Sequence, residues 1–346
     1  MVSNIRKLIA LITAASLILP VCGCGKTEQV SVAEENKKED KVEIGMSFDS
    51  FVIERWQRDR DVFVSTANDL GAEVNVQTAN GEIEEQISQI EYFIDKGVDL
   101  IVIVAVDAES LSSVVAKAKK AGIKVMCYDR VVKNADADLY ISFDNEMVGD
   151  LMARALCTKI GRGRKIITIC GPESDYNVDM VASGFDKIAG DFEEQVIGTT
   201  QCDGWKAELA YEYISENSDI VKNADAIMCG NDSLAGEAIR ALSEMRLAGK
   251  IPVVGQDADL EACQRIVEGT QLMTVYKPVE KLAKTAAEYA VKLAAGEDIG
   301  ETDTFNDGSY DIPYVKLDPI AVNRKNIDET IIETGFHLRD EVYLNN

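Results

Sequence analysis

Apolar positions in this chain form short runs separated by longer amphipathic stretches, and the alternation starts abruptly at residue 42. Runs of strand character cover 42–48, 73–79, 100–106, 124–129 and 138–143. A second set covers 165–171, 195–202, 226–230, 252–256 and 272–276. Leu100-Ile101-Val102-Ile103-Val104 is apolar on both faces, as a strand must be when helices cover both sides of a parallel sheet. Between the runs the spacing turns helical; Ile83, Ile87, Ile90 and Ile94 share one helix face. Two successive sets of alternating strand and helix predict an α/β protein of two doubly wound parallel-sheet lobes. After Gly300 the rhythm breaks into extended, turn-rich chain at Asn306-Asp307-Gly308 and Ile312-Pro313, where late crossings between the lobes are expected.

The pattern before residue 42 is different. Residues 1–7 carry Arg6 and Lys7 and no acid, and 8–19 are almost wholly apolar, followed by Val21-Cys22-Gly23-Cys24. A basic start, a short apolar core and a small residue at the cut make a secretory signal. The Gly23-Cys24 junction resembles the lipobox of bacterial lipoproteins, with Val21 three residues before the cysteine. Pro20-Val21 makes a poorer context for Cys22, so Cys24 is the expected site of lipidation. Residues 25–41 hold no aromatic and many charges, a composition that buries too little apolar surface to order itself and reads as a flexible tether. The expected division is therefore a signal at 1–23 and a tether at 24–41. One lobe would comprise 42–145 and 276–311, the other 146–275 and 312–346. No later apolar run approaches the ~18 residues that a membrane span requires. The protein is expected outside the cytoplasm, anchored to the cell membrane by lipid.

Charge narrows the partners. Sixty acidic against 36 basic side chains give a formal net charge of −24, and losing Arg6 and Lys7 with the signal makes it more negative. Such a field repels phosphate backbones, so nucleic acid is excluded as a partner. Of the eight cysteines, Cys127, Cys157, Cys170, Cys202, Cys229 and Cys263 lie within strand or helix runs, with no C-x-x-C pair or metal-like spacing. They read as reduced core thiols.

Ligands of open α/β sheets bind beyond the carboxyl ends of the strands. Polar residues recur there: Asp129-Arg130, Asp144-Asn145, Asp175 with Asn177, Asn231-Asp232, Asp257 and Lys277. Asp144, Asp232 and Asp259 could serve only as helix caps. The whole set suits a neutral polyhydroxylated ligand, because each hydroxyl both donates and accepts. Trp205 follows Asp203-Gly204 beyond a strand and could stack on a sugar ring; Trp56, beside Arg55, is the weaker case on position. Enzymatic chemistry finds little support. The single histidine, His337, sits near the C-terminus, and no nucleophile elbow, P-loop or zinc spacing occurs. Neither catalysis nor a cofactor or metal is expected.

Several segments resemble the D-xylose-binding protein family of bacterial ABC importers, within the type I periplasmic-binding fold. They are Glu54-Arg55-Trp56-Gln57, Tyr128-Asp129-Arg130, Tyr140-Ile141-Ser142-Phe143-Asp144-Asn145-Glu146, Gly255-Gln256-Asp257-Ala258-Asp259-Leu260 and Gly269-Thr270-Gln271 running into Met273-Thr274-Val275-Tyr276-Lys277-Pro278. The resemblance implies two lobes joined by three crossings, with one sugar in the cleft between them. It implies ligand contacts from Arg55, Asp129 and Arg130 on the first lobe, from Asp175, Asn177, Asn231 and Asp257 on the second, and from Lys277 at the hinge. Trp56 and Trp205 would sandwich the ring, while Asp144 and Asn145 are read as hinge and capping residues. Around Gly171-Pro172-Glu173-Ser174-Asp175-Tyr176-Asn177 the chain departs from the family, and Tyr176 stands between two supposed contacts. The expected function is a monomeric lipoprotein that captures a monosaccharide, D-xylose first, and delivers it to an ABC permease. The alternative is a sensory module that presents the sugar to a membrane histidine kinase or chemoreceptor. A sugar-responsive repressor is disfavoured by the export signal, and a secreted glycosidase by the lack of an identifiable carboxylate pair.

Overall fold

The structure is a computed structural model that describes residues 41–344. The signal at 1–23, the Cys24 lipidation site and the tether up to residue 40 lie outside the described residues.

The first five strands, β1 (Glu43–Phe48), β2 (Glu73–Thr78), β3 (Leu100–Ile103), β4 (Lys124–Tyr128) and β5 (Leu139–Phe143), form a parallel sheet in the order β2-β1-β3-β4-β5. Helices α1 (Arg55–Asp69), α2 (Ile83–Lys96) and α3 (Ser112–Lys120) connect them. In α2 the isoleucine face is half-buried at Ile87 and Ile94, and the deepest line runs Gln86, Gln89, Ile90 and Phe93. Gln86 explains why β3 stops at Ile103, short of the apolar run's end. Its side-chain amide donates to the Val104 carbonyl at 2.9 Å and accepts from the Val106 N–H at 2.8 Å, replacing ladder bonds.

The chain then crosses to a second sheet through α4 (Asn145–Ile160). Strands β6 (Lys165–Cys170), β7 (Gln195–Gln201), β8 (Ala226–Cys229), β9 (Val253–Gln256) and β10 (Met273–Tyr276) run parallel in the order β10-β9-β8-β6-β7. Their helices are α5 (Tyr176–Asp191), α6 (Glu208–Glu216), α7 (Ser218–Val221), α8 (Asp232–Glu244) and α9 (Leu260–Glu268). Helices α4 and α5 touch backbone to backbone at Gly149 and Gly184. A Cβ on either would stand 1.9 Å from the other helix's carbonyl oxygen, at Val181 or Glu146. This contact fixes the start of α5, where Asp175, Tyr176 and Asn177 sit.

A second crossing at Lys277-Pro278 returns α10 (Val279–Ala294) to pack on α1. Strands β11 (Thr304–Asn306) and β12 (Asp311–Leu317) then extend the first sheet beside β5. The third crossing follows β12, after which β13 (Ile320–Asn323) pairs antiparallel with β10, and α11 (Arg339–Val342) ends the described chain. The break in the strand and helix rhythm places 312–346 in the second lobe, but the passage comes a strand later, after β12 has paired with β5. Tyr314 stacks on Tyr140 at 4.9 Å and Ile312 is fully buried in the first lobe's core, so β12 belongs to the first sheet. The cysteines at 127, 157, 170, 202, 229 and 263 are all free thiols. No helix among the described residues is long and apolar enough to cross a membrane.

Candidate functional site

Both sheets present their carboxyl ends to one cleft between the lobes. It is lined by Arg55, Trp56, Asp129, Arg130, Asp175, Asn177, Trp205, Asp257 and Lys277, the sequence-derived set without Asn231. Asn231 stands beside Gly230, a lining residue, and spends its side-chain oxygen capping α8 by accepting from the Leu234 N–H at 2.9 Å. Ile53, Asn145, Val178, Val181, Met228 and Gln256 also line the cleft. Asp144 caps α4 as expected, accepting from the Met147 N–H at 2.9 Å, whereas Asn145, read as a hinge residue, faces the cleft.

From the first lobe, Arg55 opens α1. Its guanidinium donates to Asp59 one helical turn on, at 3.1 and 3.2 Å, and to Asp129 at 2.9 Å. Tyr128 donates its hydroxyl to Asp59 from behind. Asp129 follows β4 with φ of +62°, a left-handed conformation uncommon outside glycine but one that aspartate adopts more readily than most residues. It is pinned there: its carbonyl accepts from Ser142 Oγ at 2.8 Å and Tyr140 Oη at 3.1 Å. Burial alone would raise the Asp129 carboxyl, but Arg55, Lys277 and Arg130 outweigh it and hold it below the usual carboxylate range. Trp56, fully buried, has the Arg55 guanidinium 4.4 Å from its ring centroid and Arg130 at 5.6 Å.

The lobes meet through charge. Arg130 bonds Asp49 of its own lobe at 2.6 Å and Asp175 of the other at 2.7 Å. Asn177 reaches back across the cleft, its amide nitrogen donating to the Asp129 carboxylate at 3.1 Å. Asp175 caps α5 by accepting from the Asn177 N–H at 3.0 Å and also accepts from the Trp205 indole N–H at 3.2 Å. Burial pushes the Asp175 carboxyl up, and the Arg130 charge opposes the rise. At the hinge, Lys277 pairs with Asp257 at 2.7 Å.

Trp205 has φ of +58° and lies across the ends of β6 and β8. A Cβ at Gly171 would stand 2.3 Å from its ring, so only glycine leaves room for the indole. Asp257 also has positive φ, +99°. Three lining residues in left-handed backbone mark the cleft as a place where strain is held by the surrounding fold. Sequence reading missed Asp49, Asp59 and Gln256. Gln256 had a signal, standing directly before Asp257 at a strand end, whereas Asp49 and Asp59 show their role only through the arginines they hold.

Residues 44–298 match the family described as periplasmic binding protein domain. The chain belongs to the periplasmic binding protein family. Within it, the chain is 45% identical to the D-xylose-binding periplasmic protein of Haemophilus influenzae, over 87% of this chain and 92% of that protein. It is 46% identical to the protein of the same description from Escherichia coli, covering 87% and 93%. A solved ABC transporter solute binding protein from Clostridium phytofermentans, with bound β-D-glucose, superposes with a TM-score of 0.78 at 26% identity. That alignment covers 87% of this chain and 99% of the other. The resemblance read from the sequence thus holds over nearly all the described fold, and the two-lobed architecture is that of this periplasmic binding protein group.

Proposed function

We propose that this protein is an extracytoplasmic receptor that captures a monosaccharide, D-xylose first among candidates, and hands it to an ABC importer. One observation carries the ligand class. The cleft's cations, Arg55, Arg130 and Lys277, are each matched by buried carboxylates, leaving no surplus positive charge for an anionic ligand. Yet Trp56 Nε1, Arg130 Nη2, Asn177 Oδ1 and Gln256 Oε1 are buried with no protein partner, two donors and two acceptors. An unpaired buried polar atom costs about 1–3 kcal/mol, so such a set favours a neutral ligand whose hydroxyls both donate and accept. D-xylose is preferred because the relatives at 45–46% identity carry that name.

In this reading Arg55, Asp129 and Arg130 hold the sugar from the first lobe, with Asp175, Asn177 and Asp257 from the second and Lys277 from the hinge. Trp56 and Trp205 flank the ring. Asn231, its oxygen committed to the helix cap, offers only its amide nitrogen. Contacts drawn from both lobes favour closure, since only the closed form satisfies both sets. The Gly23-Cys24 signal adds a lipid anchor at Cys24 that keeps the receptor at its permease. The protein acts by binding and release, without catalysis.

Isothermal titration with D-xylose, D-glucose, L-arabinose and D-ribose tests the ligand class. Micromolar or tighter binding of one of them is expected, and silence towards all four would overturn the proposal. Mass spectrometry of the N-terminal peptide from membranes tests the anchor: a diacylglyceryl Cys24 is expected, and an unmodified or earlier start refutes it.

A further inference from the structure

Tyr176 is flanked by two cleft residues, but its own side chain leaves the cleft. It belongs to the second lobe, at the first turn of α5, and packs instead on the core of the first lobe. Its ring sits edge-on to Phe305 of β11 at 6.5 Å and 75°, and Lys133 Nζ lies 4.9 Å from its centroid. Phe305 is itself seated against Tyr140 at 5.0 Å and Tyr314 at 5.4 Å. Lys133 is steadied by Glu109 at 2.5 Å. Next to this contact the Ala108 N–H donates across the lobe boundary to the Ser174 carbonyl at 2.9 Å. Residues 174–177 thus alternate: Ser174 and Tyr176 grip the opposite lobe, while Asp175 and Asn177 face the cleft. Lys133, Phe305 and Ala108 are not among the residues that line it.

We propose that Tyr176 is a lobe latch: its ring docks against Phe305 and Lys133 only when the lobes close, and so sets the affinity for every ligand while touching none. The inference rests on the cleft being a closing sugar site. A contact present in the closed state alone multiplies each ligand's binding constant by one common factor. A contact to the sugar itself changes the constants unequally, because each sugar offers different hydroxyls. The latch uses the ring face and edge, so a phenylalanine should serve.

The test compares wild type, Tyr176→Ala and Tyr176→Phe by titration with D-xylose and the other sugars that wild type binds, and by stopped-flow release. Tyr176→Ala is expected to weaken every sugar about tenfold, ~1.4 kcal/mol, through faster release. The order and spacing of affinities among the sugars should stay the same, and Tyr176→Phe should match wild type. The ligand-free melting temperature should barely move, because the contact joins lobes rather than building either core. Unchanged affinity in Tyr176→Ala, or a loss confined to one sugar, would overturn the latch, as would an equal loss of ligand-free stability. A wild type that binds none of the sugars is a different failure, because it removes the sugar site itself.

Discussion

Adding one methyl group at Gly171 should damage binding far more than folding. The alanine Cβ would stand 2.3 Å from Trp205 Cζ2 and 2.4 Å from Cη2, where carbon atoms settle at about 3.5–4.0 Å. The indole must therefore shift by roughly 1 Å or more, because the Gly171 backbone is held at the end of β6. Trp205 Nε1 donates to Asp175 at 3.2 Å, already near the outer limit of a good bond, so the shift breaks it. Loss of a hydrogen bond to a charged acceptor is worth about 1.5–3 kcal/mol. Displacement of an aromatic stacking surface adds about 0.5–1.5 kcal/mol. Part of the hydrogen-bond loss falls on the ligand-free protein, so a tenfold to hundredfold loss of sugar affinity is expected. Overpacking should lower stability by about 1–3 kcal/mol. Titration calorimetry and urea unfolding on Gly171→Ala read both. The matched control is Gly190→Ala in α5, where an added Cβ meets nothing within 4 Å. It should stabilise by about 0.5–1 kcal/mol and leave binding alone. Wild-type affinity in Gly171→Ala would refute the placement of the indole over the strand end.

Arg130→Met should abolish most sugar binding, at least tenfold, because it removes a donor facing the cleft and leaves Asp49 and Asp175 without their shared cation. Affinity within threefold of wild type would contradict this in the same titration. Asp307 accepts from the backbone N–H groups of Ala135, Asp136, Ser309 and Tyr310, so Asp307→Ala should cost about 3 kcal/mol in urea unfolding while the sugar site stays intact. Burial, then the charges of Asp232 and Asp257, raise the Asp259 carboxyl well above its ordinary value. Burial also raises its neighbour Asp232, to about 7. The folded protein therefore holds this proton more tightly than the unfolded chain, and the stabilisation is complete below about pH 4 and lost as pH rises through the folded value. Asp259→Asn has no proton to lose there, so its stability relative to wild type should rise between pH 4 and 8. A pH-independent difference would exclude the effect.

Of the thirteen strands among the described residues, β1 to β10 were legible. Buried ones such as β3 showed as apolar runs, since a strand covered on both faces has little choice of residue type. The edge strands β2 and β7 are part-exposed and mix polar with apolar residues. Strand ends were less legible. The apolar run at 100–106 was cut short by Gln86, a side chain from α2 that no local pattern announces. The late strand β12 was assigned to the wrong lobe because its pairing with β5 is a long-range choice, decided by Tyr314 against Tyr140. Nine of the ten proposed ligand residues come together in one cleft. Asp129, Arg130, Asp175, Asn177, Trp205, Asp257 and Lys277 were readable because strand ends in such sheets must converge, whereas Arg55 and Trp56, at the start of α1, rested on the family resemblance. Asn231 was readable as a polar strand end, but not as the residue whose oxygen caps α8 in place of Asp232.

The amino-acid sequence alone determined the α/β alternation, the two-lobe plan, the family and the residue types at the strand ends. All of these follow from periodicity and from short motifs that act within a few residues. Tertiary structure decided which charges neutralise each other, which polar atoms are left facing the cleft, and that Tyr176 turns away from it. Those outcomes depend on contacts between residues as much as a hundred and more positions apart, such as Tyr176 with Phe305. Local sequence carries no record of such distances, because the chain's path between the lobes sets them.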